Sequence, residues 1–241
     1  MRRRWVWLGI SMLLAISWGG CGNDSTKEPM TKEQMVTPSR ETLKIMPLGD
    51  SITEGYNVPG GYRIDLWQHL RDRGYLVDFV GTQANGPEEL PDKDHQGHSG
   101  WRIDELHRGV SRWVSQTQPD WVLLLIGTND MVQGYAVEQA PTRLEGLLEE
   151  VWKAAPQAQI FVSSIPPIDQ PMLNARVQVY NQSIAEMVAR RRERGDRIAF
   201  VDVYSQLTVE DLADGIHPNR EGHRKIARTW NRALDAALSD R

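Results

Sequence analysis

A serine hydroxyl at its ordinary pKa is a weak nucleophile, and it becomes a strong one only beside a base that takes its proton. Ser51 lies in Gly49-Asp50-Ser51-Ile52-Thr53-Glu54-Gly55, directly after the apolar stretch Leu43 to Leu48, while Asp214 and His217 stand near the far end of the chain. A histidine is the usual base, and a carboxylate on its other nitrogen holds the tautomer that the proton transfer needs. The chemistry of such a set is acyl transfer through a covalent serine intermediate. A tight turn through Gly215 brings Asp214 and His217 to the same side, with Pro218 stiffening the exit. Taken singly, the three have plainer roles: Ser51 as a helix cap, Asp214 as a turn acid and His217 as a loop histidine. It is the combination that points to catalysis.

The rival serine signature, Gly-x-Ser-x-Gly on a strained elbow between strand and helix, is absent, because Thr53 stands where its second glycine would be. This argues against an α/β-hydrolase.

The elements that must position these residues are legible as an alternation of short apolar runs and longer helical patterns. The chain has 241 residues, 25% of them charged and 40% apolar, which suits one well-buried domain. Strands are predicted at Leu43 to Pro47, Leu76 to Val80, Trp121 to Ile126, Ile160 to Ser163 and Ile198 to Val201. Helices are predicted at about Tyr62 to Arg73, Ile103 to Gln116, Ala140 to Ala154, Leu173 to Arg194 and Arg220 to Leu238. Strands separated by helices imply a five-stranded parallel sheet covered on both faces, a three-layer α/β/α sandwich of flavodoxin-like topology. In such a sheet ligands gather at the carboxyl ends of the strands. Ser51 follows the first strand, Gly97 to Trp101 the second, Gly127 to Asp130 the third, and Asp214 and His217 the fifth, so the chemistry converges on one edge.

Residues 1–20 read as an export signal: Arg2 to Arg4, the apolar run Trp5 to Trp18, then Gly19 and Gly20. The run is shorter than the roughly 20 residues a membrane span needs. Cys21, the only cysteine, follows at once, and small residues before a lone cysteine resemble a bacterial lipobox, which implies lipidation at Cys21 and attachment to a membrane. A soluble secreted form cut nearby and an uncleaved anchor are the alternatives. Residues 21–41 are polar and lack apolar periodicity, as in a tether. The folded domain is expected over 42–241. The net charge of -4 offers nothing to nucleic acid. The basic run Arg190 to Arg194 complements a helix carboxyl end and reads as a solvated face.

Four ordered segments, Gly49-Asp50-Ser51, Gly97-His98-Ser99-Gly100-Trp101, Gly127-Thr128-Asn129-Asp130 and Asp214-Gly215-Ile216-His217-Pro218, together resemble the sequence blocks of the SGNH hydrolases, also called GDSL esterases. The resemblance runs from about Leu43 to Leu238 and implies Ser51 as nucleophile, His217 as base and Asp214 as the group that orients it. It also implies an oxyanion hole built from the Ser51 and Gly100 backbone N–H groups and the Asn129 side-chain amide, preset donors for the charge that develops on an attacked carbonyl. Turn roles for Gly100 and Asn129 are the plain alternatives. Asp50 and Asp130 are expected to tie loop amides.

Ile45 to Thr53, Gly60 to Arg63, Val77 to Gly81 and Asp211 to Asn219 look like the carbohydrate-esterase branch that includes acetyl xylan esterases, implying removal of small acyl groups, chiefly acetyl, from sugar hydroxyls. Trp101 is a candidate to line the acyl pocket or stack a sugar, with core packing as the competing reading. A lipid ester hydrolase of the lysophospholipase or thioesterase type is the alternative within the fold, and the third reading, from a different functional class, is a non-catalytic lipoprotein that binds glycans through the same cleft. The stretch Thr82 to His98 holds Asp92, Asp94, His95 and His98, ligand types for a divalent ion. It reads as a solvated loop, and no metal or cofactor is assigned.

Overall fold

The structure, a computed structural model, describes residues 42–239. Cys21 and the expected signal and tether segments, 1–20 and 21–41, lie outside the described residues.

Strand β1 (Leu43–Gly49) runs through the middle of the sheet, buried along almost its whole length. One edge pairs in parallel with β5 (Trp121–Leu125), which in turn pairs with β6 (Gln159–Ser163), and β6 with β7 (Ile198–Val201). A strand has two edges, so β2 (Val77–Phe79) and β4 (Asp94–Gly97) share the other. The first takes Leu43 to Ile45 and the second Leu48 and Gly49. A two-residue strand β3 (Gln83–Ala84) pairs antiparallel with β4. The expected five parallel positions are therefore present in flavodoxin-like order, with an outer position divided between two strands.

That division departs from the sequence reading, in which Thr82 to His98 is a solvated loop. The segment Asp-His-Gln-Gly has no apolar alternation, so it carries no strand signal. It pairs because its polar side chains find partners indoors. Gln96, fully buried, accepts from the Thr82 N–H at 2.8 Å and its amide contacts His98 Nε2 at 2.7 Å, while His95 Nδ1 accepts from the Gly97 N–H at 3.0 Å. Asp92 caps the Phe79 N–H at 2.6 Å and the Asp94 N–H at 3.2 Å. Among the described residues, no group of three His, Cys, Asp or Glu is placed to hold a metal ion.

Right-handed crossovers decide where the helices go. Passing from β1 to β2 moves one way across the sheet and places α2 (Arg63–Asp72) on one face. The chain then reverses through β5, β6 and β7, placing α3 (Ile103–Thr117), α5 (Ala140–Ala154) and α6 (Pro171–Glu193) on the other, with α7 (Arg220–Ser239) returning to pack on α2. Helix α3 shows why these segments are helical: Ile103, Leu106, Val110, Trp113 and Val114 recur at three- and four-residue spacing and all are buried. Two short helices, α1 (Ser51–Glu54) and α4 (Thr128–Gln133), sit at the carboxyl ends of β1 and β5. The reversal between β1 and β5 is a topological switch point, the place where sheets of this kind bind ligands.

One correction concerns the basic run at the end of α6. Arg191 is not solvated: it is 8% exposed, pairs with Glu145 at 3.2 Å, with Asp196 at 2.9 Å and with Glu149, and lies 5.1 Å from the Trp152 ring. It joins α6 to α5.

Candidate active site

Strand β1 ends at Gly49, and the chain turns at once into α1. Asp50 is the N-cap of this one-turn helix, its carboxylate accepting from the Ile52 N–H at 3.0 Å. Ser51 is thereby the first residue of α1. Its Oγ lies 2.9 Å from His217 Nε2, and His217 Nδ1 lies 2.7 Å from Asp214 Oδ2. The other Asp214 oxygen accepts from the His217 N–H at 2.7 Å and the Ile216 N–H at 3.0 Å. The aspartate thus holds both the ring and the backbone of the histidine. Partial burial pushes the Asp214 carboxyl up, but these backbone and ring hydrogen bonds outweigh it and hold the group below its ordinary value. The loop itself closes as an antiparallel bridge between Leu212 and Pro218. Ser51, His217 and Asp214, some 160 residues apart in sequence, form one hydrogen-bonded chain.

Asp50 is fully buried, and burial pushes its carboxyl up to about 7, against the opposing pull of the Ile52 N–H and the His217 charge. Its second oxygen, near Thr128, makes no hydrogen bond. This carboxyl ties the start of α1 and touches no open space. Asp130 is likewise structural, accepting from the Ile103 N–H at 3.1 Å and from Arg143 at 2.7 Å.

The expected oxyanion donors converge on the same edge. Asn129, in the first turn of α4, donates through Nδ2 to the Trp101 carbonyl at 2.9 Å, which leaves the second amide hydrogen for another acceptor. Gly100 has φ 79°, in the left-handed region, and a Cβ there would meet nothing within 4 Å. Among the described residues neither the Ser51 nor the Gly100 N–H has an acceptor. Trp101 is half-buried against the core, and beside it His98 stacks on both tryptophans, 4.2 Å from Trp101 and 4.9 Å from Trp113. Packing is the contact the Trp101 ring makes, and its carbonyl orients Asn129.

Four further residues organise this edge through contacts that the sequence does not show, although Glu54 and Arg63 fall within segments it singles out. Glu54 accepts from the Ser99 N–H at 3.1 Å and from the Ser99 hydroxyl, tying the Gly100 turn to α1. Arg63 is a buried cation that forms no ion pair among the described residues. It spends its donors on carbonyls instead: Thr53 at 3.1 Å, Glu54 at 3.1 Å, Lys93 at 3.1 Å and Asn85 at 3.1 Å. Burial pulls its guanidinium down to about 10. It fastens the last turn of α1 to the 82–98 segment, and five donors in a rigid fork are what that task requires. His223, in α7, is buried behind the His217 loop, and Tyr56 overhangs His217 with ring centroids 5.2 Å apart. The invisible signal in each case is a contact across the chain, not a local pattern.

Residues 48–225 match the GDSL-like lipase/acylhydrolase family. Among solved structures, a family 3 carbohydrate esterase of Clostridium thermocellum is 34% identical with a TM-score of 0.75, over 83% of this chain and 98% of that one. An acetyl esterase mutant solved with an acetate ion is 28% identical with a TM-score of 0.74, over 83% of this chain and 99% of that one. A multidomain esterase of Ruminococcus flavefaciens is 29% identical over 264 residues, taking in 98% of this chain. This chain spans 33% of that protein's length, and 55% and 42% of two further curated relatives. The chain belongs to the GDSL-like lipase/acylhydrolase family, a family of carboxylic ester hydrolases.

Proposed function

We propose that this chain is a serine esterase that removes small acyl groups, chiefly acetyl, from carbohydrate hydroxyls. The observation that carries it is the hydrogen-bonded chain from Ser51 Oγ through His217 to Asp214, at 2.9 Å and 2.7 Å. Ser51 Oγ attacks the ester carbonyl as its proton passes to His217 Nε2. The carbonyl oxygen takes up negative charge against the Ser51 and Gly100 N–H groups and the Asn129 amide. The intermediate collapses, the C–O bond to the sugar breaks, and the departing oxygen takes the proton from Nε2. Water, deprotonated by His217, then releases the acid and restores Ser51. Asp214 steadies the imidazolium throughout.

The substrate class rests on the relatives, whose names are those of a family 3 carbohydrate esterase and an acetyl esterase. The signal-like segment and Cys21 support an exported, lipid-anchored enzyme with the catalytic domain from about residue 42.

The test has two arms. Rates on nitrophenyl esters of increasing acyl length should peak at acetate and vanish in Ser51→Ala, and a peak at eight carbons or more would favour a lipid ester hydrolase instead. Acetate release from acetylated xylan, chitooligosaccharide and peptidoglycan then identifies the polymer; release from none of them would sink the carbohydrate reading.

A further inference from the structure

In the second half of the acylation step, His217 Nε2 must hand its proton to the departing alcohol oxygen, so that oxygen lies within hydrogen-bond reach of the imidazole. Whatever the alcohol is attached to therefore sits beside His217. Among the described residues, three side chains make a hydrogen bond or ring contact with that imidazole: Ser51 at Nε2, Asp214 at Nδ1, and Tyr56, whose ring is tilted 42° at 5.2 Å. The first two are committed to the proton path. Tyr56 is not, and it is 63% exposed, among the most exposed large side chains of the described residues.

Tyr56 is held in place by its backbone. Helix α1 ends in the left-handed Gly55, and the Tyr56 N–H donates to the Ser51 carbonyl at 3.1 Å, alongside the Gly55 N–H at 2.9 Å. The position of this residue is thus referenced to the nucleophile itself. Among the described residues its hydroxyl has no hydrogen-bond partner. A large aromatic that leaves most of its area in water, on a backbone anchored to the catalytic serine, contributes little to the core, and its free surface is suited to a ligand. Aromatic faces bind flat surfaces with polarised C–H groups, and the face of a sugar ring is one.

We propose that Tyr56 is the alcohol-side platform of the active site, on which the sugar ring bearing the ester stacks while His217 protonates its oxygen, making Tyr56 a specificity-determining residue. This rests on the carbohydrate-esterase reading above. It differs from the Trp101 expectation in placing sugar recognition on the His217 side of the nucleophile, away from the oxyanion donors. A platform binds the leaving group without entering the proton path, so its loss is felt by substrates whose alcohol carries a ring and not by those whose alcohol is small.

The experiment compares Tyr56→Ala, Tyr56→Phe and the full-length wild type on an acetylated xylooligosaccharide and on ethyl acetate. Tyr56→Ala should lose about tenfold in kcat/KM on the sugar ester, mostly through KM, and less than about twofold on ethyl acetate. Tyr56→Phe, keeping the ring, should stay within about twofold of wild type on both. Thermal melting checks that the exposed position leaves the fold intact. Equal losses on the two esters would overturn the platform and make Tyr56 part of the chemistry; no loss on the sugar ester would overturn it outright. Wild type that cleaves ethyl acetate but no sugar acetate would instead reject the substrate class, and the platform with it.

Discussion

His223 gives the most direct access to how the catalytic loop is supported. It stands in α7 at 2% exposure, packed against Gly61, where a Cβ would come within 2.9 Å of its ring. Neither ring nitrogen has a hydrogen-bond partner among the described residues. Burial first, then the charges of His217 and Arg63, pull its pKa down to about 3. In the unfolded chain an imidazole returns to about 6.5. Its folded pKa lies below its unfolded one, so between the two the unfolded state binds a proton that the folded state refuses, and stability falls as pH falls. Integrated from pH 7 to pH 5, this linkage is worth about 2 kcal/mol for one such group.

Replacing His223 by leucine, of similar volume, breaks no hydrogen bond and removes that titration. Urea unfolding of both proteins at the two pH values should show wild type losing about 2 kcal/mol more than His223→Leu on going from pH 7 to pH 5. The comparison matters because other groups titrate too. His95, also pulled down to about 3 by burial, adds a loss of the same sign. Asp50 works against both: raised to about 7, it takes its proton in the folded state first, so lowering the pH toward 4 stabilises the protein. Subtracting the variant from the wild type cancels these contributions. A difference under about 0.5 kcal/mol would show that His223 titrates as a solvated histidine, and the dry support assigned to the His217 loop would be wrong.

Asn129→Ala removes one oxyanion donor and should cost about 3 kcal/mol, some hundredfold in kcat with KM little changed; a loss under about fivefold would remove Asn129 from the hole. Glu54→Gln weakens both bonds to Ser99 and lets the Gly100 turn drift, so kcat should fall about tenfold while KM holds. Glu54→Asp, which keeps the charge, should recover part of that loss, and an unchanged kcat in the glutamine variant would separate Glu54 from the donor geometry. Cys21→Ser should move the protein from the membrane to the soluble fraction, and unchanged membrane association would refute lipidation at that residue.

How much of this was legible beforehand depends on whether a residue's role is local. The strands β1, β5, β6 and β7 advertise themselves because each is a short, mainly apolar run, most completely in β5, where all five residues are apolar and buried. The blocks around Ser51, Asn129 and His217 are equally visible, since each is a tight turn whose backbone constrains its own residues. Strand β4 is not, because Asp94 to Gly97 enters the sheet on side-chain hydrogen bonds that no periodicity encodes. Arg191 failed in the opposite direction. A basic run at a helix end looks solvated, and only the fold brings Glu145, Glu149 and Asp196 around one of its members. Arg63 and Glu54 lie inside segments that the sequence singles out, but their bonding partners show only once the segments they join are adjacent. Charged residues are the hardest to assign from sequence because their partners decide whether they are buried.

The divided outer edge of the sheet explains why the site needs glycine where it does. Handing the carboxyl half of that edge from β2 to β4 pairs Gly49 with Gly97, and the His98 N–H then donates to the Gly49 carbonyl at 3.0 Å. The turn carrying Ser51 and the turn carrying Gly100 therefore leave the sheet from neighbouring residues, which is how two segments nearly 50 residues apart come together at one edge. Such closeness excludes side chains. A Cβ at Gly97 would lie 2.5 Å from the Glu54 N, and one at Gly49 would lie 2.2 Å from the Leu125 carbonyl oxygen. Both obstacles are backbone, one of them in α1 itself, so any side chain at Gly97 would displace the helix that holds Ser51. The glycines beside the catalytic blocks are a requirement of strand pairing as much as of chemistry.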